Sequence, residues 1–100
     1  MVRHVIVWTL KDEYSDAEKN NIKAGIKKGL EGLKGRVPGI VDIQVNTDCL
    51  RSSSGDVMLD SLFESQEALK EYSSHPAHLE VANGNVRPFV KVRSSFDYEV

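Results

Sequence analysis

One hundred residues, 40% of them hydrophobic and 28% charged, describe a single globular domain large enough to bury a core. Thirteen Lys and Arg against fifteen Asp and Glu leave a net charge of −2 with the signs interspersed, which excludes a charge-built surface for nucleic acid or an anionic membrane. The lone Cys49 excludes an internal disulfide and a multi-thiolate zinc site and fits a reducing cytoplasm, and no apolar run approaches the roughly 20 residues of a membrane span.

Val2 to Leu10 is almost wholly apolar, β-branched or aromatic, which predicts a strand buried on both faces. His4, Ile6, Trp8 and Leu10 share one face; Val5, Val7 and Thr9 share the other. With Arg3 and His4 inside the stretch and no small-residue cleavage site, it reads as a strand rather than an export signal. Ser15-Asp-Ala-Glu18 has the spacing of a capping box and opens a helix to about Lys34, with Ile22, Ile26, Leu30 and Leu33 along one stripe. Gly25, Gly29 and Gly32 each cost such a helix roughly 1 kcal/mol relative to alanine, which predicts a close neighbour against that backbone. Gly35 and Pro38-Gly39 end it.

Ile40 to Asp48 alternates cleanly, with Val41, Ile43, Val45 and Thr47 opposite Asp42, Gln44, Asn46 and Asp48, and predicts a strand with one polar face. Cys49 to Gly55 is a hairpin loop, and Asp56 to Phe63 is the third strand. Ser65 caps a short helix that turns Ala68, Leu69 and Tyr72 inward. Pro76 starts a new helix carrying His78, Leu79, Val81 and Ala82, which weakens at Asn83-Gly-Asn85. The last strand, Val92 to Val100, has Val92, Ser94, Phe96 and Tyr98 on one face. The order β-α-β-β-α-α-β predicts an α+β, ferredoxin-like protomer spanning residues 1–100, a four-stranded antiparallel sheet with helices on one face. The first strand is apolar on both faces and the helices cover one. A homodimer through the open sheet face, a dimeric α/β barrel, is therefore expected.

Tyr72-Ser-Ser-His75-Pro-Ala-His78 gathers a tyrosine and two of the three histidines around a proline, and His4 lies on the first strand. Imidazole titrates near neutral pH, at roughly 6.5. In one reading His78 is a general base and the Tyr72 hydroxyl donates to a developing enolate oxygen. In the other, His78 packs under the sheet and hydrogen-bonds Tyr72 or the chain. His75 caps the helix that follows it or faces a ligand. His4 is a satisfied core residue or, with Ile6, Trp8 and His75, part of a pocket for a small, mainly apolar ligand. No cysteine or helix-borne acid completes a metal set with the histidines, and no motif holds flavin or haem, so neither metal nor cofactor is expected.

Three blocks resemble the stress-responsive A/B barrel (Dabb) family of dimeric α/β barrel proteins: Val2-Arg-His-Val-Ile-Val-Trp8, Phe63-Glu-Ser with the Tyr72 to His78 run, and Phe96-Asp-Tyr98. The resemblance implies a homodimer of ferredoxin-like protomers. Most bacterial members have no known activity, and some relatives hold a magnesium ion near the end of the first helix. Plant relatives include polyketide cyclases, which close a linear poly-β-keto chain by intramolecular aldol chemistry with a histidine and a tyrosine at positions matching His78 and Tyr72. This chain departs from them at Val57, where they offer another histidine, and along Leu79 to Asn85, where they are aromatic. Two functions stand side by side: a small-ligand-binding or stress-accessory dimer without catalysis, and a cofactor-independent cyclase or isomerase using Tyr72 and His78. The pocket distinguishes them. Cyclisation wants a tunnel into which both polar groups open.

Overall fold

In the computed structural model, which describes all 100 residues from Met1 to Val100, the apolar opening run forms β1 (Val2–Leu10), with burial alternating along its length. The other strands are β2 (Ile40–Asn46), β3 (Val57–Phe63) and β4 (Val90–Glu99); the helices are α1 (Asp16–Glu31), α2 (Gln66–Ser74) and α3 (Pro76–Val81). All strand pairs are antiparallel, in the order β2-β3-β1-β4. This is the ferredoxin-like α+β plan, with β1 and β3 in the interior of the sheet as their apolar content requires. No helix is long and apolar enough to cross a membrane.

Register assigns the faces. Ile6 stands opposite Leu59 and Ser95, and Val5 stands opposite Asp60 and Phe96. Because the side-chain period is two, His4, Ile6, Trp8 and Leu10 face the helices while Val5 and Val7 face outward. Beneath the helices a 14-residue apolar cluster forms around Leu10, Ile26, Leu30, Leu33 and Phe63. The helices cover β1, β2 and β3 but touch β4 only at its end, where Gln66 of α2 donates to Glu99; its inward-facing Arg93, Ser95, Asp97 and Glu99 are all exposed. Thus the expected one-face cover stops one strand short.

Both bonds of the capping box are made, Glu18 N–H to Ser15 Oγ at 3.2 Å and Ser15 N–H to Glu18 Oε1 at 3.0 Å. Ser15→Ala is expected to lower stability by about 1 kcal/mol in urea unfolding, and no loss would place the helix start elsewhere. α1 ends at Glu31, three residues before the predicted Lys34, because the backbone tightens (Leu33 N–H reaches Leu30 O) and Gly35 reverses it at φ 87°. Glu31 Oε2 accepts from Val45 N–H and from Lys27 Nζ, both at 2.9 Å, and so ties α1 to β2.

Of Gly25, Gly29 and Gly32, only Gly29 has no room for a side chain because of a neighbouring element. A Cβ at Gly29 would lie 2.8 Å from both Val81 Cγ1 and Asn85 Nδ2, whereas one at Gly25 would meet nothing within 4 Å. Asn85 Nδ2 instead donates to the Gly25 carbonyl at 3.1 Å, drawing the chain after α3 onto α1. That chain is a π-helical turn, Ala82–Val86, and a 3₁₀ turn, Arg87–Phe89. The expected weakening at Asn83-Gly-Asn85 is therefore a widening of the helix that continues into β4. Small boundary shifts complete the comparison: β2 stops at Asn46 and is irregular between Ile40 and Asp42, and β4 starts at Val90.

Candidate functional site

Tyr72 comes from the last turns of α2, which Ser65 opens by accepting from Ala68 N–H at 3.1 Å. Its ring is buried among Phe63 (centroids 4.9 Å apart), His78 (4.3 Å) and His4 (6.4 Å). Its hydroxyl has no hydrogen-bond partner. Burial pushes the phenol pKa up, so the group stays a neutral donor.

His78 stands on α3, three residues past the His75–Pro76 junction that turns the chain. Its Nδ1 lies 3.2 Å from the Ser73 carbonyl. A carbonyl only accepts, so Nδ1 carries the hydrogen and Nε2 is left as the free acceptor. Burial holds the imidazole below its ordinary pKa; the Ser73 carbonyl opposes this, while Arg87, His4 and Arg93 reinforce it. At neutral pH the ring is an uncharged base. The rings of His78 and Tyr72 lie tilted at 41° and are not hydrogen-bonded to each other, so of the two alternatives for His78 the bond is to the chain.

This has a pH consequence. The unfolded chain protonates His78 near 6.5, and the native state does so only at lower pH. As pH falls below about 6.5 the unfolded state binds more protons, so native stability declines until the native pKa has been passed. His78→Gln is expected to flatten that part of the profile, read from urea midpoints between about pH 7.5 and 5. A wild-type decline that survives the substitution unchanged would assign it to other groups.

Between sheet and helices lies a cavity of about 80 Å³, lined by Ile6, Trp8, Leu30, Leu59, Tyr72, His78, Ala82, Val86, Arg87 and Arg93. Four of the six candidate residues thus meet at one chamber: Ile6, Trp8, Tyr72 and His78. His4 is placed behind it. Its Nδ1 pairs with the Asp97 carboxylate on β4, and its ring meets the edges of Phe63 and Tyr72. His75 lies outside the chamber wall, its Nδ1 accepting from Ala77 N–H at 3.0 Å as the cap of α3. No group of three or more His, Cys, Asp or Glu side chains converges anywhere in the chain. A larger groove of about 650 Å³ between α2 and β4 is lined by Gln66, Glu67, Lys70 and Asp97 among others, and contains neither Tyr72 nor His78.

Arg87 and Arg93 are the charged wall residues that sequence reasoning missed. Arg93 is opposite Trp8 in the β1–β4 register, so the alternation of β4 combined with that pairing would have found it. Arg87 follows the π-helical turn, whose geometry leaves no sequence period to read.

A four-stranded antiparallel sheet carrying its helices on one face defines the ferredoxin-like α+β class. Residues 2–100 match the stress responsive A/B barrel domain, and the chain belongs to that family. It is 31% identical over 101 residues to olivetolic acid cyclase from Cannabis sativa, across 97% of this chain and 94% of the cyclase. A dimeric protein of unknown function and ferredoxin-like fold from Bacteroides fragilis superposes with a TM-score of 0.92 at 24% identity, covering 99% of this chain and 95% of that one. The hydroxynitrile lyase from Passiflora edulis shares the fold at a TM-score of 0.72 and 20% identity, covering 97% of this chain and 90% of that one.

Proposed function

We propose that the protein is a homodimer that binds a compact, mainly apolar molecule with an acceptor oxygen in the chamber between sheet and helices. The carrying observation is Tyr72, which lines the chamber and whose buried hydroxyl has no partner. Leaving a buried hydroxyl unpaired costs about 1–3 kcal/mol, a cost that a ligand oxygen would remove. At about 80 Å³ the chamber suits a few heavy atoms and is too small for an extended poly-β-keto chain. Dimerisation is supported by Val92, Phe96 and Tyr98, exposed together on the outer sheet face, and by the dimeric relative from Bacteroides fragilis.

A second reading, a cofactor-independent cyclase or isomerase, is favoured by the state of His78. A neutral imidazole with Nε2 free, tilted against a protonated phenol, supplies a base and a donor side by side. In such a reaction Nε2 takes a proton from the carbon beside a carbonyl. The electron pair moves onto the carbonyl oxygen, where Tyr72 donates. The likeness to olivetolic acid cyclase over nearly the whole chain supports this reading.

Tyr72→Phe separates a binding role from a structural one. The variant is expected to melt at or slightly above the wild-type temperature, because it removes an unsatisfied group. It is expected to lose most of the melting shift produced by a panel of small ketones and carboxylic acids. A variant destabilised by several kcal/mol, together with no shift for any compound on wild type, would make Tyr72 structural. Solvent deuterium exchange into a small ketone, abolished by His78→Ala, would identify the catalytic reading.

A further inference from the structure

We infer that the chamber selects a small carboxylate, its anionic group held at the mouth by Arg93 and Arg87 and its body inside against Trp8 and Tyr72. This deepens the ligand reading above and rests on it. Arg93 stands on the inner face of β4 opposite Trp8, on the stretch of sheet that no helix covers. Arg87 approaches from the other side, out of the turn that follows α3. Both line the same cavity as Tyr72, whose buried hydroxyl has no partner.

Neither arginine is neutralised. The ion pairs of the chain are Arg3–Asp60, His4–Asp97, Lys27–Glu31, Lys34–Asp42 and Lys91–Asp12, and none includes Arg87 or Arg93. Arg87 donates to the neutral Asn83 Oδ1 at 2.6 Å. The nearest acid on the inner face of β4, Asp97, is taken by His4. Most cations of the chain stand unpaired on the surface, but Arg87 and Arg93 do so in the wall of one cavity. Both arginines also lower the pKa of His78, as cations near an imidazole do.

The chamber wall therefore includes two guanidinium side chains, Tyr72 and His78. A ligand that matches this set is rich in acceptors and carries negative charge at one end. Guanidinium recognises a carboxylate through paired N–H donors, and a partly dry rim strengthens that contact.

The test uses the intact protein and matched neutral and anionic probes at low salt: butyrate against butyramide, and acetoacetate against its methyl ester. Binding is followed by amide chemical shifts of the wild type, Arg93→Gln, Arg87→Gln and Tyr72→Phe. Each acid is expected to bind at least about tenfold more tightly than its neutral partner, with the advantage lost in Arg93→Gln and reduced in Arg87→Gln and at high salt. Both arginines are exposed, so these variants are expected to keep the wild-type fold. Equal binding of acid and neutral partner, unaffected by either arginine change but weakened in Tyr72→Phe, would overturn anion selection and leave the ligand chamber standing. Binding of neither series would overturn both.

Discussion

Val5→Asp is expected to turn a dimer into a folded or weakly folded monomer, its sedimenting mass falling from twice to once the 11.2 kDa of the chain. Val5 points away from the helices, between Asp60 on β3 and Phe96 on β4, near the middle of the outer face. Phe96 is 69% exposed and its ring lies 5.8 Å from that of Tyr98, so the β4 side of this face is a continuous aromatic surface. A carboxylate placed there would be buried unpaired between two sheets and would sit beside Asp60, whose charge already serves Arg3 at 2.7 Å. Val5→Thr keeps the shape and is the control. Wild type sedimenting as a monomer at micromolar concentration would remove the dimer from the proposal. Val5→Asp remaining dimeric would move the interface to another face.

Phe63→Ala is expected to cost about 3–5 kcal/mol in urea unfolding. Phe63 is fully buried at the end of β3, opposite Val2 and Ile40 in the sheet, with the Tyr72 ring 4.9 Å and the His4 ring 6.2 Å away. The same ring that fills the core also backs the chamber, so ligand binding should weaken together with stability. Phe63→Leu retains most of the volume and should lose less of both. A loss below about 1 kcal/mol for the alanine variant would mean that the ring is loosely packed and does not position Tyr72.

Much of the candidate site was legible because its parts are local. Tyr72 and His78 lie six positions apart, and Pro76 starts α3 between them. The capping role of His75 needed only its place before Pro76, since the residue before a proline is held extended and its side chain meets the next helix start. Their combination with Ile6 and Trp8 followed from strand alternation. What was not legible is how the polar groups pair. His78 bonds the Ser73 carbonyl and Tyr72 bonds nothing, because those choices depend on side-chain direction, which spacing does not specify.

The sequence by itself determined the strands and α-helices, their order and which side chains share a face. Caps, turns and periodic burial are settled by residues within one or two turns of one another. Only the tertiary structure decided what meets at the chamber. The β1–β4 register brings His4 to Asp97 and Trp8 to Arg93 across almost the whole chain, and the bare inner face of β4 leaves Arg93 open at the mouth. The physical reason is that a strand's periodicity tells which side chains share a face. Which of them become neighbours depends on pairing between distant strands and on where the helices stop covering the sheet.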